Sequence, residues 1–381
     1  MRTSRRPAWL ALEDGAVYEG EAIGRAADAW GEVVFTTVVT GYQEVLTDPS
    51  YRGQIVVFTQ PLVGNYGTFP GALESSRAQV NGVIMRELCD LPDAHPGAAR
   101  LEQWLVEQGI PGLSGVDTRA LTRRLRSRGA MRGVISAQAR PARELIEAAR
   151  RVPGLSEQPL VEEVSAGEPY HVGTGPGPRV VVVDLGVKRH IVTHLVQRGC
   201  RVTVVPSRFT AGEIRALHPD GVVLSNGPGD PAVLDGPIAT ARELCSSGIP
   251  IFGICLGHQI LALALGGSTY KLKFGHRGGN HPVKDLETGR VFITTHNHGY
   301  AVDEAQLPPD LIVTHRSLND GTVEGLRHRS LPVWSVQYHP EATPGPQESA
   351  YLFDRFVGAL RRAAGGDGRL SGKDESAGAL A

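Results

Sequence analysis

A chain of 381 residues exceeds one usual domain, and 41% hydrophobic with 21% charged residues, 47 glycines and 26 prolines exclude a disordered or fibrous protein in favour of a loop-rich globular one. The formal net charge of -1 removes any global attraction to nucleic acid or an anionic membrane. No apolar run reaches bilayer length, the basic start lacks a secretory apolar stretch, and four cysteines without a CxxC pair suit neither a disulfide framework nor a structural zinc site, so a cytoplasmic location is expected.

In chain order, WLALEDGAVYEG, GEVVFTTVVTG, GQIVVFTQP and VNGVIM read as strands, being short apolar or alternating runs broken by turn residues. From Ala98 to Arg150 the spacing becomes helical in LEQWLVEQG, DTRALTRRLRSRG and ARELIEAAR. Residues 1–151 are therefore expected to form a mixed β/α domain. Residues 152–178 lose apolar periodicity and recur in Pro and Gly, which predicts a linker. Residues 179–363 alternate β-branched runs such as RVVVVDLG, CRVTVVP, GVVLSNGPG and IPIFGIC with amphipathic helices. That rhythm predicts an α/β fold with a doubly wound, mainly parallel sheet. Ligands on such sheets bind at the carboxyl ends of the strands. Residues 364–381 are small, polar and glycine-rich, the composition of a disordered tail.

In IPIFGICLGHQ a strand enters Gly253-Ile254-Cys255-Leu256-Gly257 and passes directly into a helical pattern, the layout of a nucleophile elbow. A thiol there sits at a helix N-terminus, whose dipole and free N–H groups favour the thiolate. Cys89, Cys200 and Cys245 lack these surroundings and read as buried structural thiols. In PVWSVQYHPEATPGP, His339 and Glu341 stand two apart after an apolar strand, so an extended backbone points them the same way. His339 is expected to take and return the proton while Glu341 fixes its tautomer. The glycine-requiring loop of GVVLSNGPGDP could offer backbone N–H groups to an oxyanion or a substrate carboxylate. GxxxxGK[ST] and GxGxxG are both absent.

FGICLGHQ, LSNGPGDP, FGHRGGNHPV, HNHGYAV and YHPEATPGP occur in one order and resemble the class I glutamine amidotransferase domain of the carbamoyl-phosphate synthase small-subunit family. TGYQEVLTDPSY, FTQPLVGNYG, GVDTRALTRRLR and GAMRGVI resemble that family's own first domain, which other amidotransferases lack. The resemblance implies Cys255 as nucleophile, His339 as acid and base, and Glu341 as its partner. It implies that L-glutamine is held by Ser50, Gly227, Gly229, Leu256, Gln259, Asn297, Gly299 and Tyr300, with the N–H groups of Leu256 and Gly227 as oxyanion hole. Its implied partner is a large synthetase subunit, carrying the ATP and Mg that this chain has no motif to bind, to make carbamoyl phosphate for arginine and pyrimidine synthesis. No cofactor is expected in this chain itself. The family usually has QNHG where this chain has His296 before Asn297, His298 and Gly299.

The pairs His296/His298 and His276/His281 invite a metal, but no acidic or thiol ligand accompanies them at recognisable spacing, and no metal is expected. His258 is read as serving the helix start. Arg119, Arg123, Arg124, Arg126, Arg128 and Arg132 lack interleaved aromatics and read as a solvated helix face, not a nucleic-acid site. A catalytically silent docking module has no need of Cys255, His339 and Glu341 together.

Overall fold

The computed structural model describes residues 5–90 and 98–364. The first half is built on strands β1 (Pro7–Leu12), β2 (Val17–Gly24), β3 (Ala29–Thr36), β4 (Gln54–Phe58), β5 (Leu62–Val63), β6 (Gly82–Ile84), β7 (Glu87–Leu88), β8 (Pro111–Ser114) and β9 (Met131–Ser136). Seven of them close into a barrel in the order β1-β2-β8-β6-β4-β3-β9, while β5 and β7 pair by themselves. Alternation explains why the barrel strands read as unbroken apolar runs. Val33, Phe35, Ile55 and Val57 join one buried cluster, whereas their neighbours Val34, Val56 and Phe58 join another with Tyr42, Tyr51 and Trp104. The run WLALEDGAVYEG is a hairpin of two strands. β8 and β9, inside the stretch read as helical, close the barrel and remove its free edges.

Helix Thr118–Arg128 starts where the Asp117 side chain accepts from Ala120 N at 2.9 Å and ends at Gly129, whose φ of 107° suits glycine. Leu121 and Leu125 face the core, Arg124 and Arg132 pair with Asp14 and Glu13, and Arg119, Arg123 and Arg126 line a surface cleft with Thr59.

Residues 152–178 carry more than a linker would. Helix Leu160–Val164 lies there, followed by strand β10 (Tyr170–Val172), which adds an antiparallel edge to the second sheet. That sheet also contains β11 (Arg179–Asp184), β12 (Arg201–Pro206), β13 (Gly221–Leu224), β14 (Ile251–Ile254), β15 (Thr269–Asp285), β16 (Val291–Val302), β17 (Leu311–Ser317), β18 (Val323–His328) and β19 (Val333–Val336), in the order β10-β12-β11-β13-β14-β19-β18-β17-β15-β16. β12, β11, β13, β14 and β19 are parallel. Val180 and Val182 pack beneath helices Arg189–Gln197 and Tyr351–Ala364, whereas Val181 and Val183 pack beneath Asp235–Ser246 and Leu256–Ala264. The sheet is thus covered on both faces, as expected. β18, β17, β15 and β16 extend it by antiparallel pairing, with register shifts between β15 and β16. Among the described residues no helix is long and apolar enough to cross a membrane. Residues 365–381, part of the expected tail, lie outside the described residues.

Candidate active site

β14 delivers Cys255 straight onto helix Leu256–Ala264, and Cys255 takes φ 54°, ψ −103°. A non-glycine residue at positive φ is strained, and the two glycines explain how the turn closes. A Cβ on Gly253 would meet Gly257 O at 2.7 Å, and one on Gly257 would meet Leu224 O at 2.2 Å. Any larger residue at either position would push the elbow apart. The Cys255 thiol donates to the Asn297 carbonyl at 3.7 Å and is 1% exposed. Burial pushes the Cys200 thiol up to about 11 and the Cys245 thiol up to about 12, which suits structural roles. Cys89 differs from its expected burial in being half-exposed.

His339 follows β19, and its N–H donates to Thr295 O on β16 at 2.9 Å. Its Nδ1 faces Glu341 Oε1 at 2.6 Å, so the pair two apart in sequence does meet. Nε2 has no hydrogen-bond partner among the described residues. Burial opposes charge on His339, but Glu341 and the nearby Cys255 outweigh it and hold the imidazolium well above its ordinary pKa. Burial likewise opposes charge on Glu341, and Lys188 with His339 holds that carboxyl well below the usual range.

Lys188 was not legible as a site residue. Its ammonium reaches Glu341 Oε1 at 2.9 Å, the Thr343 carbonyl at 2.5 Å and Glu74 Oε1 at 3.9 Å, and Lys188 and both carboxylates are buried. Glu74 belongs to the barrel half and also bonds His190 Nδ1 at 2.9 Å. An ionic chain therefore runs from Glu74 through Lys188 and Glu341 to His339 and Cys255.

The expected glutamine contacts gather around this chain. Ser50 lies in a short helical turn opened by Asp48, whose Oδ1 accepts from Ser50 N at 2.9 Å. Asn226 Nδ2 donates to Ser50 Oγ at 2.9 Å, and Asn297 Nδ2 donates to Asp48 Oδ2 at 2.9 Å. Asp48 and Asn226 thus bind together the three segments that carry Ser50, Gly227 and Asn297. Both were within quoted motifs, DPSY and NGPGDP, but nothing in the spacing marked them. Gly227 must be glycine, since a Cβ there would lie 2.0 Å from Leu185 O, and Gly229 has φ 91°. Leu256 opens its helix, so its N–H is among those without an intrahelical partner. Gln259 donates to the Tyr300 carbonyl at 2.8 Å and to Gln337 Oε1 at 3.0 Å, which ties Tyr300 and Gly299 on β16 to the elbow helix. His258 does not serve the helix start: its Nδ1 faces Ser335 Oγ on β19 at 2.8 Å, and burial pushes its pKa down to about 3.

His276, His296 and His298 converge with Glu324 from β18, all four buried, with candidate ligand atoms within 4.8 Å of one another. The acidic group missing from the sequence neighbourhood is supplied by a separate strand.

Residues 181–359 match the family described as glutamine amidotransferase class-I, and residues 10–135 match the carbamoyl-phosphate synthase small chain, CPSase domain. A carbamoyl phosphate synthase small chain from Symbiobacterium thermophilum is 53% identical over 361 residues, covering 93% of this chain and 98% of that one. This chain belongs to the carbamoyl-phosphate synthase small-chain family. Small chains from Syntrophotalea carbinolica and Methanopyrus kandleri are 49% and 52% identical, covering 93% and 92% of this chain and 97% and 98% of theirs. A solved structure of a putative GMP synthase protein from Thermoplasma acidophilum shares 24% identity with a TM-score of 0.45, covering 51% of this chain and 98% of that one. Family membership makes the chain a glutamine amidotransferase subunit of the carbamoyl-phosphate synthase type.

Proposed function

We propose that this chain hydrolyses L-glutamine through a Cys255 thioester and passes the ammonia to a large synthetase subunit. The observation that carries the reading is the positive-φ turn holding Cys255 beside a buried His339 whose Nδ1 is fixed by Glu341 and whose Nε2 is left unpaired among the described residues. The Cys255 thiolate attacks the side-chain amide carbon, and the N–H groups of Leu256 and Gly227 hold the oxyanion. His339 gives a proton to the departing nitrogen, leaving ammonia and a glutamyl thioester. A water deprotonated by His339 then attacks the thioester, releasing glutamate and the thiol. Ser50, Gly227, Gly229, Leu256, Gln259, Asn297, Gly299 and Tyr300 surround the substrate. Nucleophile, base and oxyanion donors are all protein groups, so this half-reaction requires no cofactor.

Ammonia protonated in bulk water is no nucleophile, so it must travel sheltered to its acceptor. The acceptor chemistry, carbamoyl phosphate formation from bicarbonate and ATP with Mg, belongs to the large subunit in the cytoplasm and feeds arginine and pyrimidine synthesis. The near-complete burial of Cys255 and His339 favours a site that opens on binding substrate or partner. The test is glutamate release by the purified chain and by Cys255→Ser, each with and without a large synthetase chain. Activity lost in the variant and raised by the partner supports the proposal. Hydrolysis unchanged by the substitution removes Cys255 as nucleophile.

A further inference from the structure

β16 presents its side chains alternately, so that Asn297 meets the glutaminase side through Asp48 while His296 and His298 point away from it. The second set falls into a polar enclosure whose protons do not balance. The Thr294 hydroxyl donates to the His281 carbonyl at 2.8 Å, so it accepts from His296 Nε2, also at 2.8 Å. His298 Nδ1 donates to the Tyr300 carbonyl at 2.8 Å. With those donors placed, His296 Nδ1 and His298 Nε2 face each other at 3.1 Å, each with a lone pair and no proton between them. Both rings are fully buried. His276 Nδ1 and Glu324 Oε2 complete the enclosure, and neither has a hydrogen-bond partner among the described residues. Two lone pairs thus face each other beside a buried ring nitrogen and a carboxylate oxygen that have no hydrogen-bond partner among the described residues.

A cation resolves this arrangement. His296 Nδ1 lies 3.7 Å from Glu324 Oε2, and His276 Nδ1 lies 3.6 Å from Glu324 Oε1. The ligand atoms, all within 4.8 Å of one another, draw in on metal binding toward a tetrahedron with zinc-to-ligand bonds of about 2.0–2.1 Å and an edge of roughly 3.3 Å. The outer ring nitrogens are already committed: His276 Nε2 to Asp320 Oδ2 at 2.8 Å, His296 Nε2 to Thr294, and His298 Nδ1 to a main-chain carbonyl. Metal-ligating histidines are oriented in this way, each donating its other N–H to an oxygen. Asp320 also lines an open cleft with Asp303 and Glu304. Imidazole with one carboxylate suits zinc-like divalent ions rather than calcium or magnesium.

We propose that His276, His296, His298 and Glu324 form a tetrahedral site for a divalent transition metal, which clamps β16 behind the glutaminase centre. The ion has no contact with Cys255 and takes no part in glutamine chemistry. The rival occupant is a proton on His276. It would answer Glu324 and still leave His296 and His298 lone pair to lone pair.

The test uses the full chain after dialysis against a chelator, titrated with cobalt(II) alone. The expected result is one equivalent bound with the visible absorption of tetrahedral cobalt, without the thiolate charge-transfer band that a cysteine ligand would add, and displaced by zinc. His296→Gln replaces one ring by an uncharged polar side chain, and Glu324→Gln keeps the side-chain volume. Each should weaken uptake by at least about 100-fold, and Asp320→Asn by about 10–100-fold. Circular dichroism melting confirms the fold of each variant. Absence of the cobalt band at one equivalent, or the same band in folded His296→Gln, overturns the site. Because uptake is read without glutamine, this outcome is independent of whether Cys255 proves to be the nucleophile.

Discussion

Two buried polar clusters flank strand β16, and they solve the same electrostatic problem differently. On one side, Glu74, Glu341 and His339 surround Lys188, so the protein's own ammonium sits among the groups that need a positive charge. On the other, Glu324 and three imidazoles converge, all four buried, with ligand atoms within 4.8 Å of one another. Groups taken out of water require compensation, and on the lysine side the chain provides it from its own residues. The lysine side is complete as folded and sets the proton state of the residues that would act on glutamine. The histidine side meets the glutaminase side at the strand they share, where His298 and Gln259 both reach the Tyr300 carbonyl.

The comparison can be broken from the catalytic side first. Cys255→Ser leaves every charge of the lysine cluster in place and removes only the nucleophile. Glutamate release should fall by about 10⁴-fold or more, with melting temperature nearly unchanged. Lys188→Met removes the internal cation and strands two carboxylates. It should cost about 3–5 kcal/mol in denaturant unfolding and abolish most glutaminase activity, because Glu341 then draws a proton and no longer favours the His339 imidazolium. A loss under about 1 kcal/mol would mean that Lys188 does not compensate the cluster.

The same cluster has an acid limit. The Glu74 and Glu341 carboxyls are held below their ordinary pKa by Lys188 and by His190 or His339, against burial. A depressed folded pKa gives stability that is full above the unfolded value of about 4.3 and lost as pH falls below it. Melting temperature should therefore drop more steeply below that pH in the native chain than in Lys188→Met. Parallel curves would show that these two carboxyls carry none of the acid sensitivity.

Asp48→Ala loosens Ser50 and Asn297 without touching the nucleophile. KM for glutamine should rise about tenfold with a smaller change in kcat, the scale of one lost charged hydrogen bond. The smallest effect belongs to the histidine side: metal-free His296→Gln should stay within about 1 kcal/mol of the metal-free native chain. A large loss there would show that the imidazoles are satisfied by one another and need no ion.

What could be read from the sequence follows from how local each signal is. Cys255 was legible because a strand, two glycines and a helix lie within a few residues of it, and the clash distances at Gly253 and Gly257 give the reason. His339 and Glu341 were legible because an extended backbone brings alternate residues together. Lys188, Glu74 and Asp48 were not, since each works across the junction of the two halves and a single lysine or carboxylate carries no pattern. Glu324 escaped for the same reason, and its absence from the sequence neighbourhood of the histidines argued against a site that the fold assembles from another strand. Barrel closure through β8 and β9 was hidden because both strands are short and lie between helical segments. The antiparallel extension of the second sheet was hidden because pairing order is set by packing and not by composition.

The carboxylate of Glu74 ties a residue of the barrel to a triad built on the sheet. Its consequence is for inheritance. A recombinant that joins a foreign barrel to this sheet must bring Asp48, Ser50 and Glu74 in matching positions, or Lys188 loses a counter-charge and Asn226 and Asn297 lose their anchors. The unit that can be exchanged between lineages is the whole chain, although its two halves have separate sheets.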